Sequence, residues 1–226
     1  MSGKEIKVLG KEIKALLLKE IKLEFRHKYA FNGILLYVVA TVFVSYLSFR
    51  QIVDPPAWNA LFWIILLFAS INAVSKSFIG ESRGLMLYYY TLAGPKAILL
   101  AKIIYNSLLM VFISLICYAC YSLFIGNIVQ NQGLFISALV LGSIGISSVL
   151  TLISAIASKT NNNFSLMAVL SFPVLMPLLI TLMKVSKMAV DGIALSVTIK
   201  YLVVLGLLDL IVLTLSYLLF PYLWRD

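Results

Sequence analysis

One histidine, two cysteines and nine acidic residues are all that 226 residues offer for acid–base, thiol or metal chemistry. His27 alone cannot supply two imidazoles to a metal or an axial haem site within one chain, and in FRHKY it reads as an interfacial polar residue. Cys117 and Cys120 stand one helical turn apart in CYAC. Covalent haem attachment needs a histidine directly after the second cysteine, and Tyr121 stands there instead, so the pair reads as packing cysteines, with an external dithiol as the alternative. There is no nucleophile with its base, no set of paired acids and no phosphate-cradling Gly-rich loop with its lysine. The expectation is a chain with no metal site and no catalysis of its own, whose energy-dependent work draws on a partner.

Charge is scarce too. Only 12% of residues are charged and 62% are hydrophobic, with a mean hydropathy of +1.03, against about 25% charged in an ordinary soluble domain. Such a composition specifies an all-α integral membrane protein. Crossing a ~30 Å hydrocarbon core takes about 20 apolar residues, so residues 1–226 hold several spans with short connections and form a single membrane domain. The formal charge of +9 does not point to nucleic acid, because the cations gather beside the apolar runs, where they meet lipid headgroups and orient the chain.

Lysines 4, 7, 11, 14, 19 and 22 alternate with Ile6, Leu9, Ile13, Leu17, Ile21 and Phe25. That apolar set recurs every three or four residues, so 4–28 is expected to be an amphipathic interfacial helix and not a signal peptide. A bend is expected at Asn32 and Gly33. Six spans are expected within 30–222. The first covers 30–49; Pro55 and Pro56 follow, and the second covers 58–79. No charged residue stands between Lys102 and Lys159, which leaves room for spans three and four around a turn at 126–133. The fifth covers 164–183 and is expected to be kinked or broken by Pro173 and Pro177. Residues 184–200 read as a semi-polar connection, and the sixth span covers 201–222.

In this arrangement fourteen Lys and Arg lie on the side of the termini and four on the other. The positive-inside rule then puts both termini in the cytoplasm. The stretch GESRGLMLYYYTLAGPKA at 80–97 becomes a short cytoplasmic element between spans two and three. Its tyrosines 88, 89 and 90 suit either an aromatic belt or the core of a protein interface.

Three features inside the spans stand out. Asp209 is an acid near the middle of span six, where it must face protein or water, either bonded to a Ser or Thr of a neighbouring helix or lining a path. Ser143, Ser147, Thr151 and Ala155 recur every fourth residue beside Gly142 and Gly145, which predicts a close helix contact within the subunit or across a dimer. Pro173 and Pro177 mark either a static bend or a hinge.

The order of these features resembles the CcmB family, the membrane component of the haem exporter of cytochrome c maturation, in a form like that of Bacteroidetes. The resemblance is carried by EFRHKYAFNGILLYVVATVFVSYLSF at 24–49, FWIILLFASINAVSKSFIGESRGLMLYYYTLAGPKAILLAKIIYN at 62–106, SSVLTLISAIASKTNNN at 147–163 and LSFPVLMPLLI at 170–180. It implies a permease subunit of an ABC-type transporter, an ATP-hydrolysing CcmA-like subunit on the cytoplasmic side, a CcmC-like haem-handling subunit, homodimerisation and location in the bacterial inner membrane. Haem is the implied substrate and is not a cofactor of this chain. Glu81, Gly84, Pro95, Ala101 and Lys102 match the family's pattern after span two, with the family's more acidic loop reduced here to Glu81. The resemblance makes this element a coupling helix, with Glu81, Arg83, Gly84, Tyr88, Tyr89, Tyr90 and Pro95 as its docking residues. The same architecture could export a lipid or drug, or scaffold cytochrome c assembly without transport.

Overall fold

The computed structural model describes residues 3–26, 28–49, 54–74, 78, 93–158 and 163–225. Among the described residues there are seven α-helices and no strand: α1 (Gly3–Arg26), α2 (Lys28–Phe49), α3 (Pro55–Val74), α4 (Pro95–Phe124), α5 (Gln132–Ala157), α6 (Asn163–Val190) and α7 (Leu195–Arg225). Helices α2 to α7 each contain a stretch long and apolar enough to cross a membrane. The proximal end of the bundle carries α1 and the α3–α4 connection; the distal end lies opposite.

Local chemistry sets the helix ends. Two prolines open α3, where a missing N–H costs nothing and a fixed φ suits the first turn, and Trp58 N–H bonds the Asp54 carbonyl at 2.9 Å. The prolines therefore begin the second span three residues earlier than the expected Trp58. Asn131 caps α5 by accepting from Leu134 N–H at 3.1 Å. Gly192, at φ 68°, makes the α6–α7 turn, and a Cβ there would collide with Gln130 of the α4–α5 turn. Asn131 N–H also bonds the Ala189 carbonyl at 3.0 Å. The two distal turns are thereby fastened to each other.

Beneath them lies a closed aromatic knot. Trp58, Phe62, Trp63, Tyr121 and Phe135 are buried together. Their polar edges are bonded: Trp58 Nε1 donates to the Gly126 carbonyl at 3.0 Å, Tyr121 OH to the Trp58 carbonyl at 3.0 Å, and Trp63 Nε1 to Ser186 Oγ at 2.8 Å. Asn59 completes the set by donating to the Met183 carbonyl at 2.9 Å. Cys117 is buried in the same core and Cys120 half-buried, both as free thiols, as packing cysteines would be.

Helix α5 is the axis of the bundle, packed against α3, α4, α6 and α7. Ser143 Oγ bonds Ser114 Oγ at 2.9 Å, Ser147 Oγ meets Ser107 Oγ at 2.8 Å, and Asn106 Nδ2 donates to Thr151 Oγ1 at 2.8 Å. The small-residue stripe is thus joined to α4 inside the subunit. In lipid, where apolar burial between helices gains little, such bonds and close packing hold a bundle, at roughly 0.6 kcal/mol per bond. Gly142 and Gly145 admit other neighbours, Leu182 and Trp63 at the first, Asp209 and Leu178 at the second.

Three expectations are corrected. Asn32 and Gly33 lie within α2 and are not a bend. Pro173 and Pro177 neither break nor end α6, which runs unbroken from Asn163 to Val190. Standing four apart, both rings fall on one exposed stripe of the helix, so the lost donors disturb only its outer side. The connection expected at 184–200 shrinks to Asp191–Ala194, because Lys184 and Lys187 extend from the surface of a continuing helix while its other side stays buried at Val185, Ser186, Ala189 and Val190. Accordingly α7 begins at Leu195, six residues before the expected start.

Gly142→Val should lower stability by about 1–3 kcal/mol, since it forces methyl groups onto Leu182 and Trp63. Gly206→Val, where a Cβ meets nothing within 4 Å, should be close to neutral. Unfolding in mixed micelles compares the two.

Candidate functional site: the proximal root of the α3–α4 connection

Lys102 is 3% exposed, about two helical turns into α4. An ammonium group removed from water needs a counter-charge and donors satisfied nearby. Glu20 Oε1 of α1 supplies it at 3.4 Å, and the ring of Phe78 lies beneath the cation at 4.8 Å from its centroid.

Two further acids of α1 share that side of the helix. Glu12 Oε2 accepts from Gly94 N–H at 3.4 Å, and Glu24 Oε2 accepts from Tyr105 OH at 3.0 Å. The paired numbers differ by 82, 82 and 81 along the series. A constant difference means that the two helices run side by side in the same direction. Phe31–Phe112 and Phe43–Phe124, at 5.9 and 6.0 Å between centroids, continue the spacing of 81 into α2. Helix α4 has 30 residues, about 45 Å, where a crossing needs ~30 Å. Helix α1 flanks this extra proximal length. The lysine pattern pointed to a helix resting on lipid; the acids between the lysines also dock it on protein.

Phe78 ties two further helices to the same place. Its N–H approaches Ser154 Oγ of α5 at 3.4 Å, and its ring meets Phe220 of α7 at 5.6 Å. Around it Ile98, Leu99, Ile103, Ala155 and Phe220 form a small buried cluster distinct from the main core, with Leu16, Ala93 and Leu213 packed on it. Phe78 and Ala93 bracket residues 79–92. That stretch therefore leaves from and returns to one cluster that α1, α4, α5 and α7 all share.

Glu81, Arg83, Gly84, Tyr88, Tyr89 and Tyr90 lie outside the described residues. Pro95 is described, as the half-buried first residue of α4 after the extended Gly94. Ser143, Ser147 and Thr151 face α4, through the bonds to Ser114, Ser107 and Asn106. Asp209 is buried between α7 and α5, against Gly145, and neither carboxylate oxygen has a hydrogen-bond partner among the described residues. The expected bond from a neighbouring Ser or Thr is not formed, because Ser143, Ser147, Ser148 and Thr151 of α5 bond α4 or their own helix. Pro173 and Pro177 point away from the core, so Asp209 and the prolines do not converge on one path within the subunit.

Sequence reasoning missed the acids of α1 and the role of Phe78. The signal was present: Glu12, Glu20 and Glu24 recur at multiples of four, one helical stripe, hidden among more numerous lysines.

Glu20→Gln should cost about 3 kcal/mol, the low end for one partner of a buried pair because Glu20 keeps 15% of its side-chain exposure. Glu20→Leu with Lys102→Met should regain most of it. A double-mutant cycle by micellar unfolding measures the coupling.

A family model described as CcmB protein matches residues 11–222. No curated protein matches the chain. The match begins within α1, runs through all six apolar helices and ends in the last turns of α7, and on that extent the chain belongs to the CcmB family and is a multi-pass membrane protein.

Proposed function

We propose that this chain is the permease subunit of an ATP-driven haem exporter of cytochrome c maturation, in which residues 79–92 receive force from a separate ATPase. Membership of the CcmB family supports the haem-export assignment. The observation that supports the coupling role is the common root of the connection: Phe78 and Ala93, at its two ends, pack on a single cluster. The excess of Lys and Arg on the proximal side supports a cytoplasmic position for both termini and for this element in the bacterial inner membrane.

On this reading a CcmA-like ATPase docks on Glu81, Arg83, Gly84 and Tyr88 to Tyr90, with Pro95 starting the helix that carries the motion onward. Closure of two ATPase subunits, one beneath each copy of a homodimer, pushes the element. Displacement at Phe78 and Ala93 is felt at once by α4, α5 and α7, and α1 travels with α4 because Glu12, Glu20 and Glu24 hold it there. The fastened distal turns form the stationary end. Haem is cargo delivered by a CcmC-like subunit, and ATP is bound by the partner.

Replacing Tyr88, Tyr89 and Tyr90 together by Ala should reduce co-purification of the ATPase by about tenfold or more, some 1.4 kcal/mol of binding. Retained ATPase binding in the triple variant would remove the docking assignment. Phe78→Ala should leave the ATPase bound and hydrolysing while mature c-type cytochromes fall. Normal c-type cytochromes in a strain lacking the chain would redirect the substrate to another class.

A further inference from the structure

Asp209 is 5% exposed, at the fifteenth of the 31 residues of α7. Both carboxylate oxygens are covered and without a hydrogen-bond partner among the described residues. Gly145 of α5 makes the room: a Cβ in its place would collide with Asp209 Oδ1 and with Leu178 of α6. The group is thus buried where α7 meets α5, close to Leu178 of α6.

No counter-charge faces it among the described residues. Helix α5 contains no titratable residue. Those of α6 are Lys184 and Lys187, toward the distal end, with Lys184 over the ring of Tyr201. Helix α4, which also touches α7, turns Lys96 to Tyr217 and Lys102 to Glu20. On α7 itself the nearest titratable groups are Tyr201 and Tyr217, each eight residues away, or about 12 Å along the axis.

We propose that Asp209 is a proton-binding site inside the subunit, occupied while α7 packs on α5 and emptied when the two helices part. An ionised carboxylate without water or partner is the costliest state for this side chain, and an acid in such a place ordinarily neutralises instead. A proton is also a ligand that needs no room beside Gly145. On separation the carboxyl O–H bond breaks, its electron pair stays on the carboxylate, and the proton passes to a water molecule admitted between α5 and α7. Closing reverses the step. Each opening of this seam therefore releases one proton per subunit, whatever the cargo.

Infrared spectroscopy of the purified full-length chain in bilayers reads the group directly. The wild-type minus Asp209→Asn difference at neutral pH is expected to contain the carbonyl band of an un-ionised carboxylic acid. Gly145→Ala, which wedges α5 from α7, should lose most of that band. Carboxylate bands in the wild-type difference, or an acid band unchanged by Gly145→Ala, would overturn the proposal. A second measurement needs no wedge: in heavy water the acid band of the wild-type chain should move to lower frequency as the carboxyl O–H exchanges during openings of the seam, and a band that never moves would count against the site.

Discussion

An ammonium group that is only 3% exposed dictates much of the proximal architecture. Lys102 cannot enter the bundle without a carboxylate, and the residue that provides one lies on α1, 82 positions earlier. That need recruits a basic, lipid-seeking helix to the side of α4. It also fixes the direction of α1, because Glu12, Glu20 and Glu24 must meet Gly94, Lys102 and Tyr105 in order. Phe78, four positions after the last residue of α3, lies under the cation, and through Ser154 and Phe220 the interaction reaches α5 and α7.

The two ends of the molecule are built on different principles. At the distal end every described polar edge of the aromatic knot is bonded, and the turns of α4–α5 and α6–α7 interlock through Asn131, Ala189, Gly192 and Gln130. At the proximal end a small apolar cluster and three acidic contacts carry the load. The polar seam from Ser143 to Thr151 binds α5 to α4 between the two ends. Asp209 faces α5 from α7, and its oxygens form no hydrogen bond among the described residues.

Much of the bundle was legible because lipid allows so few solutions. A run without charge from Lys102 to Lys159 can only be two crossings, and the turn between them fell where Gly126 to Gly133 stand. The serines and glycines of α5 announced close contacts, although only the structure shows that α4 meets the serines and that α3, α6 and α7 meet the glycines. Lys184 and Lys187 misled, since charge near a helix end looks like a loop when its other face is not known to be buried. Pro173 and Pro177 do not break α6, and their common stripe faces outward, where lost donors disturb least. The site was half legible. Its location after span two followed from charge and glycines, but the cluster at its root joins residues 16, 78, 93 and 220, a proximity that no local pattern encodes.

In the proposed transport cycle α1 and α4 move as one body. Glu12→Cys with Gly94→Cys, in a chain whose Cys117 and Cys120 are replaced by Ser, tests it: a Cβ at Gly94 faces the Glu12 carboxylate at 3.9 Å, within reach of a short bismaleimide. ATP-driven export by the reconstituted transporter, measured before and after cross-linking, is predicted to be unchanged. Loss of export on cross-linking, with ATP hydrolysis continuing, would show that the two helices must part and would contradict the account.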